Sequence, residues 1–321
     1  MIQHLTIPKI ANFLLRYSSS VNSTGLYNGK AGLSLSLFIA SEYLHDEQLE
    51  DAADNMLKES LILKNNDISF ENGWAGIGYA LLYLIENKYI EADFDELLGE
   101  QYEYIIKSNI SNIENDPSII VNTMQVVYFL SKVRVVKKED NRIDVLIKKF
   151  FEGLELFLSM QFQDFVDMRY VRNKSDVLTV YQTYLKLIDY SGYAYFSRVV
   201  LEDYAALYRN GKIASSLSTG HYLKLITEKN HINGYEDVIS DHLKYGIKNC
   251  HPYTLSFKER IDLAKLINNY ESNDLLRINK YEDLKMQDLL NTIGDKSYIL
   301  GYDAGLGRFL IYCIDKNIEL L

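Results

Sequence analysis

The sequence predicts an all-α fold: a closed double ring, an α/α toroid of about seven inner helices jacketed by about seven outer ones, in a single domain over 1–321. Three observations lead there. There are 3 prolines in 321 residues, at 8, 117 and 252, which leaves room for long helices and argues against a many-turned β-sandwich. A short motif, N-G-x-A-G followed by an apolar run, recurs with a period of roughly 45 residues, enough for one helix pair. Between its copies lie charge-rich stretches whose apolar residues keep helical spacing.

Taken in order, Ile7 to Tyr17 is the first amphipathic segment. The first motif copy runs from Leu26 to Phe38 (LYNGKAGLSLSLF), the second from Phe70 to Leu82 (FENGWAGIGYALL) and a third from Gly301 to Leu310 (GYDAGLGRFL). The period places degenerate copies at Ile120–Leu130, Val171–Val180, Leu217–Leu225 and Leu255–Ala264. The motif anchors then fall at 29, 73, 123, 174, 220, 258 and 302, and inner helices are expected to begin near 29, 73, 123, 175, 220, 258 and 303. The amphipathic partners are His45–Leu63, Phe94–Ile113, Asn141–Met160, Gly192–Arg209, Tyr235–Lys248 and Asn273–Asn291. A helix apolar all round must be enclosed, so the motif helices go inside. The last copy is as apolar as the first, with no polar cap, which favours closure over an open solenoid.

Gly29, Gly32, Gly73 and Gly76 sit where a loop turns into an inner helix. Glycine there permits positive φ or close backbone approach. The expectation is that inner-helix N-termini share one mouth of the ring and present free N–H groups there. Asparagines at matching positions, Asn28, Asn72, Asn122 and Asn173, together with Thr219, His221 and Asp303, form a candidate rim for an extended peptide. Each asparagine could instead simply cap its helix. The 26 Tyr and 13 Phe suit thick helix–helix packing, with each tyrosine hydroxyl near water.

The repeated N-G-x-A-G resembles the lanthionine synthetase C-like proteins, and the resemblance runs along essentially the whole chain. It implies an α/α toroid of seven inner and seven outer helices. It also implies a place in ribosomal peptide modification of the lantibiotic type, with a precursor peptide or a peptide-modifying enzyme as partner. The cyclases of that family hold one zinc ion, which activates a peptide Cys thiolate for addition to a dehydrated residue. Two Cys and one His supply the ligands, from a C-Y-G-like fifth turn and a C-H-G sixth turn. The matching positions here read Ser218-Thr219-Gly220 and Ser256-Phe257-Lys258, so none of the three ligands is in place and no zinc is expected. The family's fourth-turn His is Asn173, its Asp before the third turn falls near Ile119 with Asp116 off register, and its Arg falls at Ala214 beside Lys212. Cys250 and His251, with His221, are a weaker alternative metal set. Cys313, about ten residues into the last inner helix, would stand roughly 15 Å from any turn.

The resulting expectation is a divergent member, a pseudoenzyme candidate that binds a peptide or partner in its cavity. The alternative is an active thioether-forming cyclase with zinc-independent or relocated catalytic residues. A third class, glycoside processing, would need carboxylates facing one another, for which Glu71, Asp176 and Asp303 are candidates, though acids at helix starts also serve the helix dipole. No phosphate loop or nucleophile elbow occurs. With 34 basic against 44 acidic residues the net charge is −10, which argues against nucleic acid. Two cysteines exclude a disulfide framework. The N-terminus lacks signal-peptide features and no run of about 18 apolar residues stands out, so the expected location is cytoplasmic with no membrane span.

Overall fold

The computed structural model describes residues 2–62, 66–110, 112–114, 116–166, 174–248, 262, 266 and 305–314. Among them are α1 (Ile2–Tyr17), α2 (Lys30–Leu44), α3 (Glu47–Ser60), α4 (Trp74–Glu86), α5 (Phe94–Lys107) and α6 (Pro117–Val136). These are followed by α7 (Asn141–Val166), α8 (Lys174–Ser191), α9 (Arg198–Arg209), α10 (Leu217–Lys229), α11 (Glu236–Lys248) and α12 (Leu306–Ile314). No strand occurs among the described residues, and the all-α expectation holds. The expected inner helix near 258 and outer helix over 273–291 lie outside the described residues.

Three outer helices, α3, α5 and α7, start where an aspartate takes up orphan N–H groups. Asp46 accepts from the amides of Gln48 and Leu49, Asp93 from those of Asp95 and Glu96, and Asp140 from that of Arg142. Inner helices α2 and α4 start on Gly29 and Gly73, with buried stretches from Ala31 to Ser41 and from Trp74 to Leu82. One start differs from the sequence expectation. The third inner helix begins at Pro117, with Asp116 as its cap, six residues before the anchor at 123. Proline fits the first helical position because its missing N–H would be unpaired there anyway. The last inner helix begins at Leu306 rather than 303, and α7 runs on to Val166 rather than ending at 160.

The chain divides into two units, 1–105 with 252–320, and 106–251 with residue 321. In the first unit, inner helix α2 packs between α4 and α12, while α1 and α3 lie against α2. The last described helix, α12, is therefore a neighbour of the first motif helix, α2, within this unit. Ser34 on α2 donates to the carbonyl of Ala53 on α3 at 2.7 Å, so this small buried side chain ties the inner helix to its outer partner. Arg308 of α12, 2% exposed, pairs with Asp262 at 2.5 Å.

In the second unit, α8 packs between α6 and α10 as an inner row, and α9 contacts both α7 and α11 as an outer row. Aromatic side chains fill the space between the rows. Tyr181 stacks on Tyr204 at 4.1 Å, and Phe162 meets both. Tyr102 of the first unit and Tyr128, Tyr181, Tyr184 and Tyr204 of the second are less than 2% exposed or close to it, so these tyrosines do not keep one end wet as the composition suggested. The hydroxyls of Tyr184 and Tyr204 are instead met by protein groups, Glu155 and His242. Helix α6 is the one described helix long and apolar enough to cross a membrane. A little over half of that apolar window is buried, and α6 packs against α7 and α8.

The glycines in the first unit settle the choice left open by the sequence. Gly29 and Gly73 have φ of −132° and −111°, which any residue adopts, so close approach and not positive φ demands them. A Cβ on Gly73 would lie 2.3 Å from the carbonyl oxygen of Asp67, and one on Gly76 would lie 1.9 Å from that of Phe70. Gly99 on α5 is the contrast, because an added Cβ meets nothing nearer than Asp95 at 3.9 Å. Gly76→Ala should therefore destabilise the protein by about 2 kcal/mol through forced backbone displacement. Gly99→Ala should stabilise it by roughly 0.5–1 kcal/mol through helix propensity alone. Urea unfolding of the two variants checks both signs.

Candidate functional site

The turns that open the inner helices of the first unit interlock through their backbones. The amides of Lys30, Ala31 and Gly32, the first three of α2, donate to the carbonyls of Ser23, Thr24 and Gly25 at 2.9, 3.2 and 3.4 Å. Trp74, the first residue of α4, donates in the same way to Asp67 at 2.9 Å. The two turns also join each other, since the Tyr27 amide donates to the carbonyl of Glu71 at 2.9 Å. The expected free N–H groups at the start of α2 are thus already occupied by the chain itself. Asn28 and Asn72 are exposed and stand one residue before the glycine caps, so neither is the N-cap residue. Within this unit they are surface amides free to meet a ligand, with their helices capped by backbone alone.

In the second unit the first turns of α6 and α8 bound a cleft of about 870 Å³. Glu114, Asp116, Ser118, Asn122, Asp176 and Thr179 line it, with Pro117 and Val121 as its apolar floor. Asn122 is exposed on the second turn of α6 and so joins this cleft, not a helix-opening turn. Asp116 has a local task as well: one carboxylate oxygen accepts from the amide of Ser118 at 2.9 Å and from its hydroxyl at 2.7 Å. Those two bonds, the hydroxyl's first, hold its pKa below the ordinary carboxylate value, so it is charged at neutral pH. The cleft therefore offers carboxylates, an amide and hydroxyls, a lining suited to the cationic and hydroxyl groups of a peptide.

The remaining rim candidates lie elsewhere. Thr219 is 1% exposed and His221 8% exposed, both inside α10 rather than on an open edge. Asn173 and Asp303 lie outside the described residues, as do Cys250, His251, Ser256 and Phe257. Glu71 belongs to the first unit and Asp176 to the second. Ser218, at the position that the sequence resemblance aligns with a zinc ligand, is the second residue of α10. Its neutral hydroxyl does not fit zinc at neutral pH, since thiolate and imidazole supply the affinity of such sites. Among the described residues no three His, Cys, Asp or Glu side chains gather to hold a metal ion. Cys313 is partly buried near the C-terminal end of α12.

A residue the sequence did not single out governs this part of the structure. His242 on α11 is 0% exposed. Its Nδ1 accepts the amide of Ser216, the cap residue of α10, at 2.9 Å, and its Nε2 lies 3.3 Å from the Tyr204 hydroxyl. The Ser216 hydroxyl in turn accepts from the Thr219 amide and from Gln182 of α8 at 2.9 Å. An outer-helix imidazole thereby fixes where an inner helix begins. Gly220 allows this, since a Cβ there would lie 2.7 Å from that of His242. Accepting at Nδ1 requires neutral imidazole with its proton on Nε2. Burial pushes His242 down to about 4, against the pull of Asp241. Burial, helped by Lys224, pushes His221 down to about 4 as well.

These shifts carry a sign. Both folded values lie below the ordinary 6.5, so the unfolded chain takes up protons first. Their contribution to stability is complete above 6.5 and is lost as pH falls through about 4. Urea unfolding between pH 7 and 4.5 should show stability falling, and His242→Asn should make that fall shallower. Asn28→Ala and Asn72→Ala should each change stability by less than about 0.5 kcal/mol, because neither residue is a cap.

No curated protein and no solved structure matches the chain. Residues 4–123 match the family model described as lanthionine synthetase C-like protein. The matched stretch contains two of the three clear motif copies, the interlocked turns and the start of α6. Over residues 4–123 the chain is therefore similar to lanthionine synthetase C-like proteins, and its all-α architecture of inner and outer helices accords with that likeness.

Proposed function

We propose that this protein is a divergent lanthionine synthetase C-like domain, over residues 1–321, that holds a precursor peptide or a peptide-modifying enzyme instead of closing thioether rings on a zinc-bound thiolate. The family supplies the substrate class: its members act in lanthipeptide-related modification. The observation that carries the reading is Ser218 at the start of α10, a neutral hydroxyl where the cyclase chemistry needs a thiolate ligand. The open cleft lined by Asn122, Asp116, Asp176 and Thr179 supports the binding half of the reading. A cytoplasmic setting in lantibiotic biosynthesis belongs to the same proposal.

The test is ring closure on a dehydrated Cys-containing peptide, with zinc supplied. The wild-type protein is expected to form thioethers no faster than the uncatalysed peptide, while retaining the peptide by fluorescence anisotropy. Asn122→Ala with Asp176→Asn should weaken that retention by about tenfold, the loss of roughly 1.4 kcal/mol. Catalysed closure that disappears in Cys250→Ser or His251→Ala would establish a relocated zinc site. Catalysed closure untouched by both substitutions would establish a zinc-independent cyclase. Either result would replace the proposal.

A further inference from the structure

The outer helices of the second unit carry several exposed apolar side chains, and the most exposed of them lie on α7 and at the start of α9. Leu156 and Met160, one turn apart on α7, are 64% and 61% exposed. Val199 on α9 is 56% exposed, and Tyr195, just before α9, is 83% exposed. These residues belong to one surface because the edges of α7 and α9 that carry them are tied together. Glu155 on α7 accepts the Ser197 amide at the start of α9 at 2.8 Å, and Ser159 on α7 faces Asp203 on α9, holding down a carboxyl pKa that desolvation raises. Tyr195 meets Tyr193 edge to face, and Tyr193 stacks on Phe151 of α7 at 4.0 Å. The core does not need the four exposed side chains, since Phe151, Leu154, Phe157, Leu158 and Phe162 already fill the buried side of α7.

The charge around the patch is one-sided. From 152 to 164, α7 carries Glu152, Glu155 and Asp164 and no Lys or Arg. The first two turns of α9 add Glu202 and Asp203 against Arg198. Lys148 reaches Glu152 at 3.8 Å, an exposed i,i+4 pair that neutralises little. Apolar contact area inside an acidic rim is complementary to an apolar stripe flanked by basic residues. Two neighbouring outer helices also leave a shallow groove along which a third helix can lie.

We infer that the α7–α9 face, centred on Leu156, Met160, Val199 and Tyr195, is a docking surface for a basic amphipathic helix of a partner protein. It lies apart from the α6–α8 cleft and does not rest on how that cleft is used. The test titrates the full-length protein against a fluorescein-labelled helical peptide of Leu and Lys with one apolar stripe. The controls are the same residues in scrambled order and a version with Glu for Lys. The striped basic peptide should bind at least tenfold more tightly than either control. Leu156→Lys with Met160→Lys should cost at least tenfold. Ile62→Lys, at an exposed position in the first unit, should cost nothing. Glu152→Gln with Glu202→Gln should weaken binding and flatten its salt dependence. All these sites are exposed, and circular dichroism confirms folding. Equal binding of the scrambled peptide, no binding of any peptide, or indifference to the α7 substitutions would overturn the inference. So would self-association in sedimentation that the same substitutions abolish, since the occupant would then be a second copy of the chain.

Discussion

The constraint on which the first unit depends is the placement of loop carbonyls against the starting amides of its inner helices. A helix that is buried on all sides cannot leave its first N–H groups to water, and in α2 three successive loop carbonyls accept them. That arrangement brings two backbones within the space a Cβ would occupy, and so it imposes glycine at 73 and 76. The bond from Tyr27 to Glu71 then couples one turn to the next. Sequence motif, helix start and repeat-to-repeat registration are consequences of one hydrogen-bonding requirement. The turns consume their own donors and leave side-chain amides, Asn28 and Asn72, as what they show to the outside.

The second unit meets the same requirement with side chains. Asp116 caps α6, and Ser216 caps α10 with His242 taking the Ser216 amide. Backbone-only caps tolerate little change, whereas side-chain caps tie helix starts to titratable groups. Glu155, which takes the Ser197 amide ahead of α9, is a further such group. Desolvation raises its pKa, while the bonds from Ser197 and Tyr184 oppose that rise. Accordingly the acid sensitivity of the protein should be concentrated in this unit, where buried imidazoles must stay neutral.

Much of the fold was legible in the sequence because its main signals are local. The starts of α2 and α4 follow directly from N-G-x-A-G, and the amphipathic stretches at 94, 141 and 235 mark outer helices within a residue or so. The start of α6 was misplaced because Asn122 resembles the turn asparagines, although Asp116 followed by Pro117 is itself a helix-start signal. A second signal went unused: the caps Asp46, Asp93 and Asp140 are each 47 residues apart, a cleaner period than that of the weak motif copies. The site was less legible. Thr219 and His221 occupy rim positions in the linear pattern, yet α10 turns both inward. His242 looks like any polar residue of an amphipathic helix, and its role arises from a contact across 26 residues that no local pattern encodes.

The functional account turns on donor chemistry. At the position that the sequence resemblance aligns with a metal-binding thiolate, this chain carries Ser218, at the start of α10. A hydroxyl at that helix start can bond a peptide backbone but cannot activate a thiol as a metal does, which is why the proposed role is binding. Zinc per chain, measured by elemental analysis on protein purified without chelators, tests this most directly. The account predicts far less than one equivalent. Near-equimolar zinc that survives dialysis would contradict it.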